Sequence, residues 1–209
     1  IGTGSGVVFD SGAGPEYAES WLKLAFLERP LPDFALIETM AWHPGEGYLL
    51  LERHMRRLRT SAARLGFACA PERIAAALAE RAAGFDAPRR VRLEVSADGR
   101  FRLADEALAP TPPRWRIALS DTPVDADNPL LAHKTTRRAL YDETLKRMIK
   151  TRGCDEVLFV NRDGFATEGS YTNLFVARAG RLLTPPLAHG LLPGTLREAL
   201  LDSGRAFEA

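Results

Sequence analysis

The chain has 209 residues, 45% apolar and 26% charged, with a net charge of +1. This composition fits a soluble globular chain and excludes a disordered one; a charge so near neutral gives no electrostatic case for nucleic acid or an anionic membrane. No apolar run approaches the roughly 18 residues of a membrane span. Cys69 and Cys154 stand far apart and outside any CxxC pair, and the four histidines are scattered. Neither a disulfide framework nor a metal site is expected, and the cysteine usage fits a reducing cytoplasm.

The chain opens without Met on IGTGSGVVFDSG and stops at RAFEA. Both ends are expected to be cut from something longer. Val7, Val8 and Phe9 read as a strand, and a helix is expected from Pro15 to about Glu28. FALIETMAW (34–42) reads as a strand, with HPGEG (43–47) as a hairpin turn. From Glu52 to Gly66 the period becomes helical, with Met55, Leu58, Ala62 and Leu65 on one face. Residues 71–83 form a second helix, opened by Pro71 and closed by Gly84.

VRLEVSADGRFRLA alternates Val91, Leu93 and Val95 around an Asp98-Gly99 turn, which predicts a hairpin. A strand is expected over 114–120. The unpatterned DTPVDADNPL (121–130) is the expected boundary between a small N-terminal α+β domain (29–124) and a C-terminal domain (125–209) that is expected to be the larger one when whole and to be truncated here. The second half reads as a helix at 136–151 and strands at 156–161, 165–169, 172–178 and 181–184. A loop over 188–194, a helix GTLREALLDSG and the start of a strand at the end complete it. Two α+β halves are predicted, not an alternating βαβ chain.

Only four of the 28 basic side chains are lysines: Lys23, Lys134, Lys146 and Lys150. Arg does not deprotonate, so any Schiff-base chemistry rests on these four. Lys146 and Lys150 are spaced as solvating residues of one helix, and Lys23 belongs to an amphipathic stretch. Lys134 lies in NPLLAHKTTRR, between an apolar pair and a threonine pair. It reads as a surface loop lysine or as a partly buried amine with a lowered pKa.

Downstream, Glu168 sits in ATEGSYTN among Thr167, Ser170 and Thr172. It is either an acceptor for backbone amides or the partner of a protonated ring nitrogen. In HGLLPGTLR, Gly194 opens a helix whose first amides, at Thr195 and Leu196, can hold an anion. Arg57 follows His54 by three residues and is one of many arginines. A lysine, a carboxylate, an amide nest and an arginine are what pyridoxal phosphate needs.

At these residues the sequence resembles the fold-type IV pyridoxal-phosphate enzymes, which include branched-chain and D-amino-acid aminotransferases and 4-amino-4-deoxychorismate lyases. The resemblance spans about 33–208 and rests on four ordered motifs, LLERHMRRL, HKTTRRALYD, ATEGSYTNLF and GLLPGTLREALL. It implies the two-domain α+β fold of the D-amino-acid aminotransferase-like enzymes and a homodimer with the site near the interface. It implies that Lys134 carries the cofactor and acts as acid and base, and that Glu168 pairs with the pyridine nitrogen. Arg57 would bind the phosphate with the Thr195 and Leu196 amides, and Leu192 would pack on the cofactor ring. Thr39, Tyr171 and Thr172 are candidate substrate contacts. Ala41 departs from the Arg of many relatives, and Leu196 from a common Thr.

HKTTRRALYD is most similar to the lyase domain fused behind aminodeoxychorismate synthase component I. Residues 1–28 resemble the last segment of a chorismate-utilising domain, in which Glu16 and Glu19 match magnesium-positioning glutamates. These are expected to be orphaned here, so no metal is expected in this chain. The parent would be a bifunctional p-aminobenzoate synthase with a glutamine amidotransferase partner. The activity implied is cleavage of 4-amino-4-deoxychorismate to p-aminobenzoate and pyruvate. The alternatives are a class IV aminotransferase and a non-catalytic fragment.

Overall fold

The computed structural model describes residues 32–209. The expected strand at 7–9 and helix at 15–28, with Glu16, Glu19 and Lys23, lie outside the described residues. Strand β1 (Leu36–His43) turns at 43–47 into the short β2 (Gly47–Tyr48). Helices α1 (Leu51–Leu65) and α2 (Pro71–Ala82) follow, then the hairpin β3 (Arg89–Val95) and β4 (Phe101–Ala107). The four strands form an antiparallel sheet in the order β2-β1-β3-β4.

The register explains the core. Leu36 faces Val95, Met40 faces Val91, and Glu38 faces Leu93. Directly opposed residues share a face, so this face carries the buried side chains. It packs with Met55, Leu58 and Ala62 of α1 and Ile74 and Leu78 of α2. The Asp98-Gly99 turn needs glycine. Gly99 has φ +84°, and a Cβ there would come within 3.0 Å of the Ala68 Cβ.

A second core is built on β5 (Ile117–Leu119), α3 (Ala139–Arg152), β6 (Glu156–Val160) and β7 (Ala166–Gly169). β5 and β6 run parallel, which requires a crossover, and α3 supplies it. Val124, Met148, Cys154, Val157 and Phe159 are its buried members. A third small sheet joins β8 (Val176–Arg178), β9 (Arg181–Thr184) and β10 (Ala206–Glu208), with α4 (Thr195–Asp202) between the last two.

Three elements differ from the sequence expectation. The strand expected over 114–120 is reduced to 117–119. The helix expected from 136 begins at Ala139, because residues 134–136 run extended along β1. The Ile37 N–H donates to the Lys134 carbonyl at 2.8 Å, and the Thr136 N–H to the Ala35 carbonyl at 2.8 Å. The strand expected over 172–178 shrinks to 176–178. The Thr172 hydroxyl is drawn inward to donate to Glu156 at 2.9 Å, which curls the chain before it can extend.

Candidate active site

Lys134 follows a short 3-10 turn, Pro129–Ala132, whose start is capped by the Asn128 side chain. Its backbone is a rung on the edge of β1, so its position is fixed by main-chain bonds. The side chain keeps some exposed surface, but its amine end is desolvated. Burial pushes the amine down to about 8, and Arg57 and Arg138 add to this while Glu38 and Glu168 oppose it. An amine so placed is unprotonated far more often near neutral pH than an ordinary lysine, and that form can attack a carbonyl.

Glu168, on β7, is 7% exposed. Burial pushes its carboxyl up to about 7, against the pull of the Leu192 amide, the Tyr141 hydroxyl, Lys134 and Arg138. Tyr141 of α3 donates its O–H to Oε1 at 3.1 Å and is itself held well above its ordinary pKa by burial and by Glu168. The Tyr141 ring packs edge-on against Phe159 at 4.7 Å, which anchors it in the second core. Arg138 stacks over that ring and donates to the Ser170 carbonyl.

Arg57 and His54 lie one turn apart on α1 and both reach Glu38 on β1. Arg57 donates to Glu38 through Nε at 2.9 Å and Nη2 at 2.6 Å, and to the Pro193 carbonyl through Nη1 at 3.0 Å. His54 Nδ1 lies 2.6 Å from Glu38, and its Nε2 3.2 Å from the Thr195 hydroxyl. Burial works to raise the Glu38 pKa, but the hydrogen bonds and charge of His54 and Arg57 outweigh it and hold the carboxyl below its usual range. Thr195 opens α4 behind Gly194, which offers no side-chain cap. The first amides of α4 therefore have no intrahelical partner. A Cβ on Gly194 would fall 1.7 Å from the Asn173 Oδ1, so only glycine lets Asn173 pack against the helix start.

Residues 35–208 match the family model for amino-transferase class IV. The chain belongs to that family. A Schizosaccharomyces pombe protein provisionally named aminodeoxychorismate lyase is 33% identical over 178 residues, covering 83% of this chain and 75% of that protein. The Saccharomyces cerevisiae aminodeoxychorismate lyase is 34% identical over 107 residues, 43% of this chain and 28% of the relative. A crystal structure from Mesorhizobium loti, provisionally named an amino-acid aminotransferase, is 44% identical, with 85% of this chain and 86% of that one covered and a TM-score of 0.79. The fold is thus that of the class IV enzymes, which depend on pyridoxal phosphate.

The class IV side chains present here fit that cofactor. A desolvated amine, a buried carboxylate braced by a tyrosine, and an arginine beside a bare helix start supply the three kinds of contact it needs. Lys134 would hold the aldehyde carbon, Glu168 the ring nitrogen, and Arg57 with the Thr195 and Leu196 amides the phosphate. Arg57 and Thr195 are joined through Glu38 and His54, Glu168 is held by Tyr141 and the Leu192 amide, and the Lys134 amine lies within electrostatic reach of both groups. Leu196 would contribute its amide only, since its side chain is largely exposed.

The other candidates lie apart from this network. The Tyr171 side chain is 53% exposed and rests against Trp115, with ring centroids 5.9 Å apart. Thr172 is bound to Glu156. Thr39 is half-buried on β1, opposite Arg92 and on the other face from Glu38. A cavity of about 370 Å³ lies along α1, lined by Arg57, Ser61, His133, Leu191 and Pro193, but Lys134 and Glu168 do not border it. Sequence reasoning missed Glu38, His54, Arg138 and Tyr141. One signal was available for Glu38: it is the single charge inside the alternating apolar run LIETM.

Proposed function

We propose that this class IV enzyme converts 4-amino-4-deoxychorismate to p-aminobenzoate and pyruvate, a step of folate biosynthesis. The observation that carries the reading is the Lys134 amine, desolvated and within electrostatic reach of the buried Glu38 and Glu168 and of Arg57 and Arg138. The lyase name of the relative that covers 83% of the chain supports the choice of reaction. Pyridoxal phosphate, when bound, supplies an aldehyde for the substrate's amine and an electron sink for the carbon that bears it.

The chain's own residues do the rest. Lys134 Nζ would accept the proton from the ring carbon bearing the amine and return it to the enolpyruvyl group, whose C–O bond to the ring breaks as the ring becomes aromatic and pyruvate leaves. Glu168 offers a carboxylate whose Oε1 is fixed by Tyr141, so its charge is aimed and not free to turn away. Arg57 and the start of α4 bind the phosphate and fix the cofactor's position. The two products together contain every atom of the substrate, so neither an oxidant nor a second substrate is required.

The second reading is an aminotransferase on the same residues, favoured by the 44% identity to the Mesorhizobium loti structure. The experiment is incubation with 4-amino-4-deoxychorismate alone. Equal amounts of p-aminobenzoate and pyruvate without any added 2-oxo acid support the lyase. Turnover only when an amino acid and a 2-oxo acid are both present supports the aminotransferase.

The same reading places the chain in a cytoplasmic homodimer, as one part of a bifunctional p-aminobenzoate synthase served by a glutamine amidotransferase. Sedimentation of the purified protein tests the dimer. Among the described residues no helix is long and apolar enough to cross a membrane.

A further inference from the structure

The cavity along α1 has no part in the reaction described above. Arg53, Arg57, Thr60 and Arg64 follow one another at steps of four, three and four residues, so they form one stripe of the helix, and all four line the cavity. Leu131, Leu187, Leu191 and Pro193 give it apolar surface from other segments. None of Lys134, Glu168, Leu192, Thr195 and Leu196 borders it, so it meets the cofactor residues at Arg57 alone. The segment 191–193 divides the two spaces. Leu191 and Pro193 line the cavity, while the Leu192 amide holds Glu168 and the Leu192 carbonyl accepts from Asn173 at 3.4 Å.

The cavity is cationic, and most of its charge is already used. Glu198, the carboxylate of the lining, takes Arg56 at 2.6 Å and Arg53 at 3.1 Å. Arg57 is held by Glu38 at 2.6 Å. Arg64 forms no ion pair among the described residues. Beside it stand Ser61, 4% exposed, and His133, whose Nδ1 lies 2.9 Å from the Ser61 Oγ. Burial and then the charge of Arg64 hold the His133 imidazole below its usual pKa, so the ring is neutral and carries one N–H. If that hydrogen is on Nδ1 and donated to Ser61, the hydroxyl keeps its own. If the hydroxyl donates, the hydrogen is on Nε2. In either tautomer the pair keeps one donor that no acceptor among the described residues takes.

We infer that this cavity is a second ligand site, for a small carboxylate with a ring-sized apolar body. The body packs on Leu131, Leu187 and Leu191, and the carboxylate meets Arg64 and the hydrogen left by the Ser61–His133 pair. A volume of about 370 Å³ lies at the small end of ligand pockets and suits one ring with its substituents. One unpaired guanidinium matches a planar monoanion. A phosphate dianion would call for a second free cation, and Arg53, Arg56 and Arg57 are engaged.

The test is calorimetric titration with benzoate, which has no amine to condense with pyridoxal phosphate, on protein with and without saturating cofactor. Benzyl alcohol, which lacks the charge, and inorganic phosphate, which lacks the ring, are titrated alongside. One benzoate per chain is expected under both conditions, with each comparator at least about tenfold weaker. Arg64→Ala is expected to weaken benzoate about tenfold. Thr60→Trp, which puts an indole in the cavity from an exposed position, is expected to abolish binding. Neither residue belongs to the cofactor site, so cofactor affinity and turnover stay unchanged in both variants.

No benzoate binding, or binding that Arg64→Ala and Thr60→Trp leave unaltered, overturns the inference. Binding that disappears once pyridoxal phosphate is added also overturns it and puts benzoate in the cofactor site. So does either comparator binding as tightly as benzoate, because the charge or the ring alone would then suffice.

Discussion

The Lys134 carbonyl accepts the Ile37 N–H at 2.8 Å, so the residue that carries the amine is also a rung of the first β-sheet. Thr136 repeats the arrangement with Ala35, through its own N–H and through its side-chain hydroxyl, which accepts from the Ala35 N–H at 2.9 Å. The segment between the two cores is therefore not a loose connection. It fixes the amine relative to Glu38 on the strand it borders, and the short turn before α3 carries the chain on toward Tyr141.

The two perturbed groups predict a pH signature for the cofactor-free enzyme. Glu168 is raised from its ordinary 4.5 to about 7, so above 4.5 the unfolded chain gives up a proton that the folded one keeps. Stability should fall as pH rises from about 4.5 to 7. Lys134 is lowered from 10.5 to about 8, so between these values the unfolded chain binds the extra proton, and stability should rise with pH over that window. Urea denaturation across pH checks both limbs. Glu168→Gln should flatten the first and Lys134→Met the second; limbs that persist in both variants belong to other groups.

Tyr141→Phe keeps the ring against Phe159 and removes only the hydroxyl that donates to Glu168. That hydroxyl helps to hold the carboxyl down, so its loss should push Glu168 further up. If ionised Glu168 is required, the acid limb of kcat/KM moves to higher pH. The loss of one hydrogen bond to a charged group also predicts a stability loss of about 1.5–3 kcal/mol. An unmoved acid limb would separate Tyr141 from the function of Glu168.

How much of this was legible in the sequence depends on where each residue's partners lie. Lys134 stood out because arginine-rich composition left few amines, and α1, α2 and the β3-β4 hairpin were written in local periodicity. Glu38 was hidden because its partners, His54 and Arg57, come from a different element, and an acidic residue in a strand reads as solvent-facing. By residue pattern alone Arg57 was one surface arginine among many; the family resemblance singled it out, and β1 places a carboxylate beneath it. The strand over 172–178 was overpredicted for the same kind of reason. Its apolar run over 174–177 suits a strand, but Glu156, sixteen residues before Thr172, pulls that residue inward.

Glu156 itself is the basis of a stability prediction. It is 2% exposed and accepts from the Val157 N–H at 2.8 Å, the Ser170 N–H at 3.1 Å, and the hydroxyls of Ser170 and Thr172. Glu156→Ala strands these donors, at about 1–3 kcal/mol for each that finds no water. The loss should appear in the denaturation midpoint, with the 169–173 turn the first region to exchange its amide hydrogens.

Gly194→Ala tests the start of α4. Its Cβ has no room beside Asn173 Oδ1, so either the side chain or the helix start must move. Overpacking of this kind costs about 1–3 kcal/mol. Affinity for pyridoxal phosphate should fall with it, and Asn173→Gly in the same chain should recover part of both. A variant that binds the cofactor normally would remove α4 from the phosphate site.

The central claim is that Lys134 is the amine that holds the cofactor. Its most direct test is to saturate the purified protein with pyridoxal phosphate, reduce it with borohydride and map the modified peptide. An absorbance band that reduction abolishes and a single stable adduct on Lys134, absent from Lys134→Ala, are expected. An adduct on Lys146 or Lys150, or no adduct in a protein that still turns over substrate, would contradict it.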